Sequence, residues 1–240
     1  MGQLIYGKNA VVEALEAKRV LKVYLSSSFQ ESHIITLLQS MHIPVERTSE
    51  HRLQTLSKGL HQGIVAEVKA FAYTSLDHLL EILKNKTHPL IVLLDEVQDP
   101  QNFGAIIRNA VGLFADAIIV KKMHQVDVTP IVAKVASGAL EHMPIVQVAN
   151  LSQLMETLKP LGFWFAATSL NASSIDYRRF DYRGAIGLIF GSEGHGVSPL
   201  VAKNADALIK IPLSAKLESF NVASSLAIVL SEAYRQRFPL

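Results

Sequence analysis

Six short and almost wholly apolar runs dominate the last two thirds of the chain, at residues 90–94, 117–120, 145–148, 163–167, 186–190 and 208–211. Each has the length of a strand, and turn residues bound it on both sides. A strand with one solvated face alternates apolar and polar residues. A run apolar at every position must be covered on both faces, which is the condition of a parallel sheet between helical layers. The segments between the runs return to helical spacing at 102–113, 129–137, 151–158 and 197–202, and a last amphipathic helix spans about 219–236. The fold class read from this pattern is α/β with a parallel sheet.

The first 70 residues read differently. A helical stripe over 8–18 (Val11, Val12, Ala14, Leu15) precedes an alternating strand at 20–25. Helical spacing resumes at Ile34, Leu37, Leu38 and Met41, a short strand follows at 42–45, and alternation returns over 63–71. This is a small α/β unit at the low end of independent stability. The expected organisation is a domain at 1–72, a linker and connecting helix at 73–88, and a sheet domain at 89–240. The chain has no cysteine, which excludes disulfides, thiolate metal sites and a cysteine nucleophile. No apolar stretch reaches the roughly 18 residues of a membrane helix, and the first residues lack a signal-like apolar run, so a cytoplasmic protein is expected. The net charge of +2 is too small to mark a nucleic-acid binder by itself.

Ligands of open parallel sheets bind beyond the C-terminal ends of the strands. After 90–94 come Asp99-Pro100, a turn signal, and then Asn102, Gly104 and Arg108. Asn102 reads either as a helix cap or as a polar group lining a cleft, and Arg108 either as a surface charge or as its companion. After 186–190 comes Gly191-Ser192-Glu193-Gly194-His195-Gly196, three glycines in six residues, which let a backbone pass close to a ligand. No Gly-Lys-Ser/Thr follows, so this is not a nucleotide-phosphate loop. His195 reads as an incidental loop histidine. After 208–211 come Pro212, Ser219, Phe220 and Asn221, where either Ser219 or Asn221 could cap the last helix. Neither a nucleophile elbow nor a histidine pair at metal-ligand spacing is present.

In this order the three segments resemble the signature motifs of the SpoU family of RNA 2′-O-ribose methyltransferases. Asn102, Gly104 and Arg108 match Asn-x-Gly-x-x-x-Arg. Gly191, Glu193, Gly194 and Gly196 match Gly-x-Glu-Gly-x-Gly. Ile211-Pro212 with Ser219, Asn221 and Val222 match Ile-Pro followed by Ser-x-Asn-Val, and 232–237 resembles the closing helix. The opening residues 5–11 and the segment 135–142 are further similar to the subgroup that methylates a guanosine of 23S ribosomal RNA. The chain departs from the third motif at Ala215, Phe220 and Ala223, where Gly, Leu and Ser are usual.

The resemblance implies a small N-terminal ribosomal-protein-like RNA-binding domain and a catalytic domain whose C-terminus forms a trefoil knot. It also implies a homodimer, S-adenosylmethionine as cofactor and no metal. Catalytic roles fall by resemblance on Asn102, Arg108, Glu193, Ser219 and Asn221, and cofactor contacts on Gly191, Ile211 and Phe220. Two alternatives share the scaffold: a non-catalytic RNA-binding protein, and a transfer-RNA 2′-O-methyltransferase.

Overall fold

The computed structural model describes residues 2–57 and 59–239. Among them, two compact units divide the chain, one of residues 2–72 with 128–142, the other of 73–127 with 143–239. In the first unit the order is β1 (Gln3–Tyr6), α1 (Lys8–Glu16), β2 (Val20–Ser26), α2 (Ser32–Ser40), β3 (Val45–Thr48), α3 (Glu50–Ser57) and β4 (Ile64–Val68). The sheet order is β1-β4-β2-β3, with β4 antiparallel to both neighbours and β3 parallel to β2. Two of these elements, β1 and α3, carry too short an apolar pattern to be read from sequence. The stripe of α1 is buried as its spacing requires, with Val11, Ala14 and Leu15 inaccessible.

The second unit begins with α4 (Leu76–Lys84), capped by the Ser75 hydroxyl and packed into the core through Leu79 and Leu83. It continues with β5 (Leu90–Asp95), α5 (Pro100–Gly112) and β6 (Ala117–Lys121). The next helix, α6 (Pro130–Ala136), returns to the first unit. The chain then runs through β7 (Ile145–Val148), α7 (Leu151–Leu158), β8 (Phe163–Thr168), β9 (Ile175–Asp176), β10 (Ala185–Gly191), α8 (Pro199–Asn204), β11 (Ala207–Lys210) and α9 (Val222–Arg237). The sheet order is β7-β6-β5-β10-β8-β11-β9, and every pairing is parallel. All six apolar runs are strands of this sheet. Side chains of α4, α7 and α8 join one buried cluster against it, while α5 packs beside α9 and these two meet β6 and β10. A sheet sandwiched in this way has no solvated face on its central strands, which is why the runs do not alternate.

Helix 129–137 reads in sequence as one more layer of the parallel sheet, but the structure corrects this. Residues 128–142 serve the first unit: Val132, Ala133 and Ala136 are buried there, and Asn9 Nδ2 donates to Ser137 Oγ at 3.1 Å. Arg19 pairs with Glu141, and His142 Nε2 lies 2.8 Å from Glu13 Oε2. Ser137 and Gly138 both take positive φ, 52° and 93°, and a Cβ on Gly138 would lie 2.2 Å from Glu13 Cγ. Periodicity reports only that a helix has an apolar face, not which unit receives it.

Candidate active site

Chain reversals on the sheet start where β5, β6 and β7 run outward to one edge and β10 pairs on the other side of β5. Such a switch point leaves a crevice beyond the strand ends. The loop after β5 enters α5 through Asp99, whose Oδ2 accepts the Asn102 N–H at 2.9 Å, with Pro100 in the first turn. Asp99 is therefore the cap, and the amide of Asn102 is free for other partners. Those partners come from the other two loops. Asn102 Nδ2 donates to Glu193 Oε1 at 2.7 Å, Asn221 Nδ2 donates to the same oxygen at 2.7 Å, and Asn221 Nδ2 also donates to Asn102 Oδ1 at 2.7 Å. A carboxylate can only accept, so both amide nitrogens must face Glu193, and this orients both asparagines. Asn221 Oδ1 meanwhile accepts from Ala223 and Ser224 N–H at 2.9 and 3.3 Å and caps α9. Asn102 is 8% exposed, whereas Glu193 and Asn221 are exposed.

The glycine-rich loop owes its shape to Gly191. It ends β10 fully buried, and a Cβ there would lie 1.9 Å from the Gly196 carbonyl carbon and 2.2 Å from the Val197 nitrogen. Only glycine permits the chain to fold back so tightly on its own strand. Gly196 N–H donates to the Ser192 carbonyl at 2.9 Å and closes the turn, with Gly196 at φ 65°. This turn walls a cleft of about 410 Å³, a volume in the range of small-ligand sites. Glu193 and His195 line it from the turn, Ile211 from the end of β11, Ser219 and Phe220 from the segment before α9, and Leu170 from beyond β8.

Seven of the eight residues singled out in sequence thus converge. Asn102, Glu193 and Asn221 bond to one another, and Gly191, Glu193, Ile211, Ser219 and Phe220 line one cleft. Arg108 stands apart, exposed on α5 with neither an ion pair nor a hydrogen bond among the described residues. Its neighbour Asn109, seven residues after Asn102 and so on the same helix face, donates to the Ala223 carbonyl at 3.1 Å. Sequence reading missed Asn109, and it missed the end of β8, where Thr168 and Leu170 line the cleft. The polar step from Ala167 to Thr168-Ser169 after an apolar run was the available signal. The departures from the third motif are tolerated by the backbone: Ala215 does not have positive φ, and Ala223 is buried in the first turn of α9.

A glycine-walled cleft at the ends of parallel strands, with Glu193 on its wall tied to Asn102 and Asn221, is the arrangement of a ligand site in an α/β protein. Residues 89–231 match the SpoU rRNA Methylase family, and residues 4–74 match the RNA 2′-O ribose methyltransferase substrate-binding family. The 23S rRNA (guanosine-2′-O-)-methyltransferase RlmB of Pseudomonas putida is 38% identical over 247 residues, covering 99% of this chain and 98% of that one. The AdoMet-bound rRNA methyltransferase from Sinorhizobium meliloti superposes with a TM-score of 0.81 at 26% identity, over 98% of this chain and 87% of that one. The TrmH/SpoU tRNA modifying enzyme of A. aeolicus is 31% identical, with a TM-score of 0.57, over 67% of this chain and 81% of that one. The chain belongs to the SpoU family of S-adenosylmethionine-dependent RNA 2′-O-ribose methyltransferases.

Proposed function

We propose that this protein methylates the ribose 2′-hydroxyl of a guanosine in 23S ribosomal RNA, as a cytoplasmic homodimer. The observation that carries the site assignment is the Asn102–Glu193–Asn221 triangle, which ties three distant motifs together through Glu193, a residue of the cleft wall. The residues present fit S-adenosylmethionine: the fold-back at Gly191 brings backbone rather than side chains to the cleft wall, and Ile211, Phe220 and Leu170 offer apolar surface to an adenosine. When bound, the cofactor supplies a methyl group activated by a positively charged sulfur.

The chain's own residues address the other half of the problem, a ribose hydroxyl that is a poor nucleophile. A guanidinium offers five N–H donors and no acceptor, which suits Arg108 to charge stabilisation rather than to taking a proton. Its role is to steady the negative charge that grows on the 2′-oxygen, a contact worth about 3–4 kcal/mol in a transition state. Arg108, exposed and unpaired among the described residues, is free to meet RNA, including a neighbouring phosphate. Asn102, Ser219 and Asn221 orient ribose and cofactor through hydrogen bonds, and Glu193 holds the two asparagines in place.

The first unit supplies RNA binding in this reading, supported by its match to the substrate-binding family. The homodimer has a candidate face in the exposed cluster of Phe114, Tyr234 and Phe238, with ring centroids 4.9–5.7 Å apart at the ends of α5 and α9. The trefoil knot implied by the motifs is part of the same proposal. Transfer RNA is the second reading, favoured by the likeness of two thirds of the chain to the A. aeolicus TrmH/SpoU tRNA modifying enzyme.

One experiment tests the substrate and the role of Arg108: 2′-O-methyl sites are mapped in cells lacking the protein and in cells complemented with wild type or Arg108→Ala. The expected result is one lost guanosine mark in 23S rRNA, restored by wild type only, with purified Arg108→Ala binding S-adenosylmethionine as wild type does. A lost mark on transfer RNA alone refutes the ribosomal substrate, and lost cofactor binding in the variant refutes the role of Arg108.

A further inference from the structure

Beyond the motif residues, one buried carboxylate has no part in the mechanism so far. Asp95 ends β5 and is 1% exposed. A buried carboxylate persists only when it is paired and hydrogen-bonded. Asp95 spends its two oxygens on two different elements. Oδ2 accepts the Ser198 N–H at 2.8 Å, and Oδ1 lies 3.3 Å from Lys121 Nζ at the end of β6. Lys121 also donates to Glu96 Oε1 at 2.6 Å, and Glu96 has a φ of 68°, unfavourable for a residue with a Cβ. Burial works against the charge on Lys121, but the two carboxylates outweigh it and hold its pKa above the ordinary lysine value.

The positions of these partners matter. Gly191, where the glycine-rich loop leaves the sheet, is the register partner of Asp95 across the β5–β10 pairing. Ser198, where the loop ends and α8 begins, is the residue that Asp95 bonds. Both ends of the cofactor-facing loop are therefore fastened to one residue, by strand pairing at its start and by a carboxylate at its finish. Ser198 offers no side-chain cap to α8, and Asp95, 103 positions earlier, binds the amide there instead.

We propose that Asp95, held by Lys121, is a positioning residue that staples the glycine-rich loop shut and thereby sets the affinity of the cleft for S-adenosylmethionine. The proposal rests on the assignment of the cleft to that cofactor. Loss of a charged acceptor from a partly buried amide predicts, for Asp95→Ala, S-adenosylmethionine binding weakened by about tenfold. Asp95→Asn retains an oxygen for Ser198 and loses the attraction of Lys121, so it should fall between Ala and wild type.

The test is calorimetric titration of the full chain with S-adenosylmethionine for wild type, Asp95→Ala, Asp95→Asn, Lys121→Met and Gly191→Ala. Amide exchange is followed in the cofactor-free proteins. The staple predicts faster exchange at 192–198 in Asp95→Ala and Lys121→Met, with the interiors of β5 and β10 unchanged. A merely structural role would loosen the strands as well. Unchanged affinity in folded Asp95→Ala, or equal loosening of loop and strands, overturns the proposal. Should Asp95→Ala not fold, Asp95→Asn and Lys121→Met decide by the same two readouts. Unaltered binding in Gly191→Ala would instead refute the assignment of the cleft, which separates the two failures.

Discussion

Asn221 combines two roles that its chemistry separates. Its Oδ1 caps α9, and its Nδ2 joins the triangle with Asn102 and Glu193. Serine is as good a cap as asparagine, but its short hydroxyl cannot bridge to two side chains. Asn221→Ser should thus keep the α9 cap and lose only the side-chain bonds of the triangle, about 1 kcal/mol by urea denaturation. Methylation should fall by about 10²-fold in single-turnover assays, the scale of losing one preorganised donor. A variant that methylates at the wild-type rate would remove the triangle from the site. This residue was legible in sequence as part of a pattern, although its double use was not. Asp95 and Asn109 were not legible, because each binds a backbone group more than 100 positions away, which leaves no spacing to read.

At the scale of elements, the segment from β9 to β10 shows how local charge shapes a sheet edge. Asp176 accepts from the backbone N–H, Nε and Nη2 of Arg178, and Asp181 does the same with Arg183. The guanidinium hydrogen bonds, followed by the backbone ones, pull both carboxylates from the ordinary 3.8 to about 2. A carboxylate lowered in the folded state adds stability that is fully present above 3.8 and disappears as pH falls toward about 2. The pairs are exposed, so the contribution is modest and local. Amide exchange across 176–183 should accelerate between pH 4 and pH 2 beyond the intrinsic trend, and Asp176→Asn with Asp181→Asn should remove that dependence. An identical profile in the double variant would show that the pairs do not hold the segment. The same region is fastened by α9: Gln236 binds Tyr182 N–H and the Phe180 carbonyl, and the half-buried Arg237 guanidinium reaches the carbonyls of His88, Pro89 and Gly184. Burial lowers the Arg237 pKa from its ordinary value, and the nearby Asp116 carboxylate works against that.

For the whole molecule, the path of the chain matters more than the border suggested by composition. Residues 128–142 interrupt the sheet unit between β6 and β7 and pack in the first unit. A fragment of residues 73–240 would therefore keep the parallel sheet and lose the cover over Val132, Ala133, Ala136 and Leu140, which are at most 4% exposed in the full chain. Amide protection in this fragment should persist in β5, β6 and β10 and vanish over 130–142. Retained protection over 130–142 would show that the helix needs no first unit. Sequence by itself determined the α/β class, all six strands of the catalytic sheet that appear as apolar runs, and the motif residues around the cleft. Those properties are written in local hydrophobic pattern and in short spacings. Only the tertiary structure decided which unit receives α6, that Asp99 and not Asn102 caps α5, and that Asp95 closes the loop between Gly191 and Ser198. Each of these depends on which distant groups meet, and a pattern along the chain records that a face is apolar or a group is polar without recording what will satisfy it.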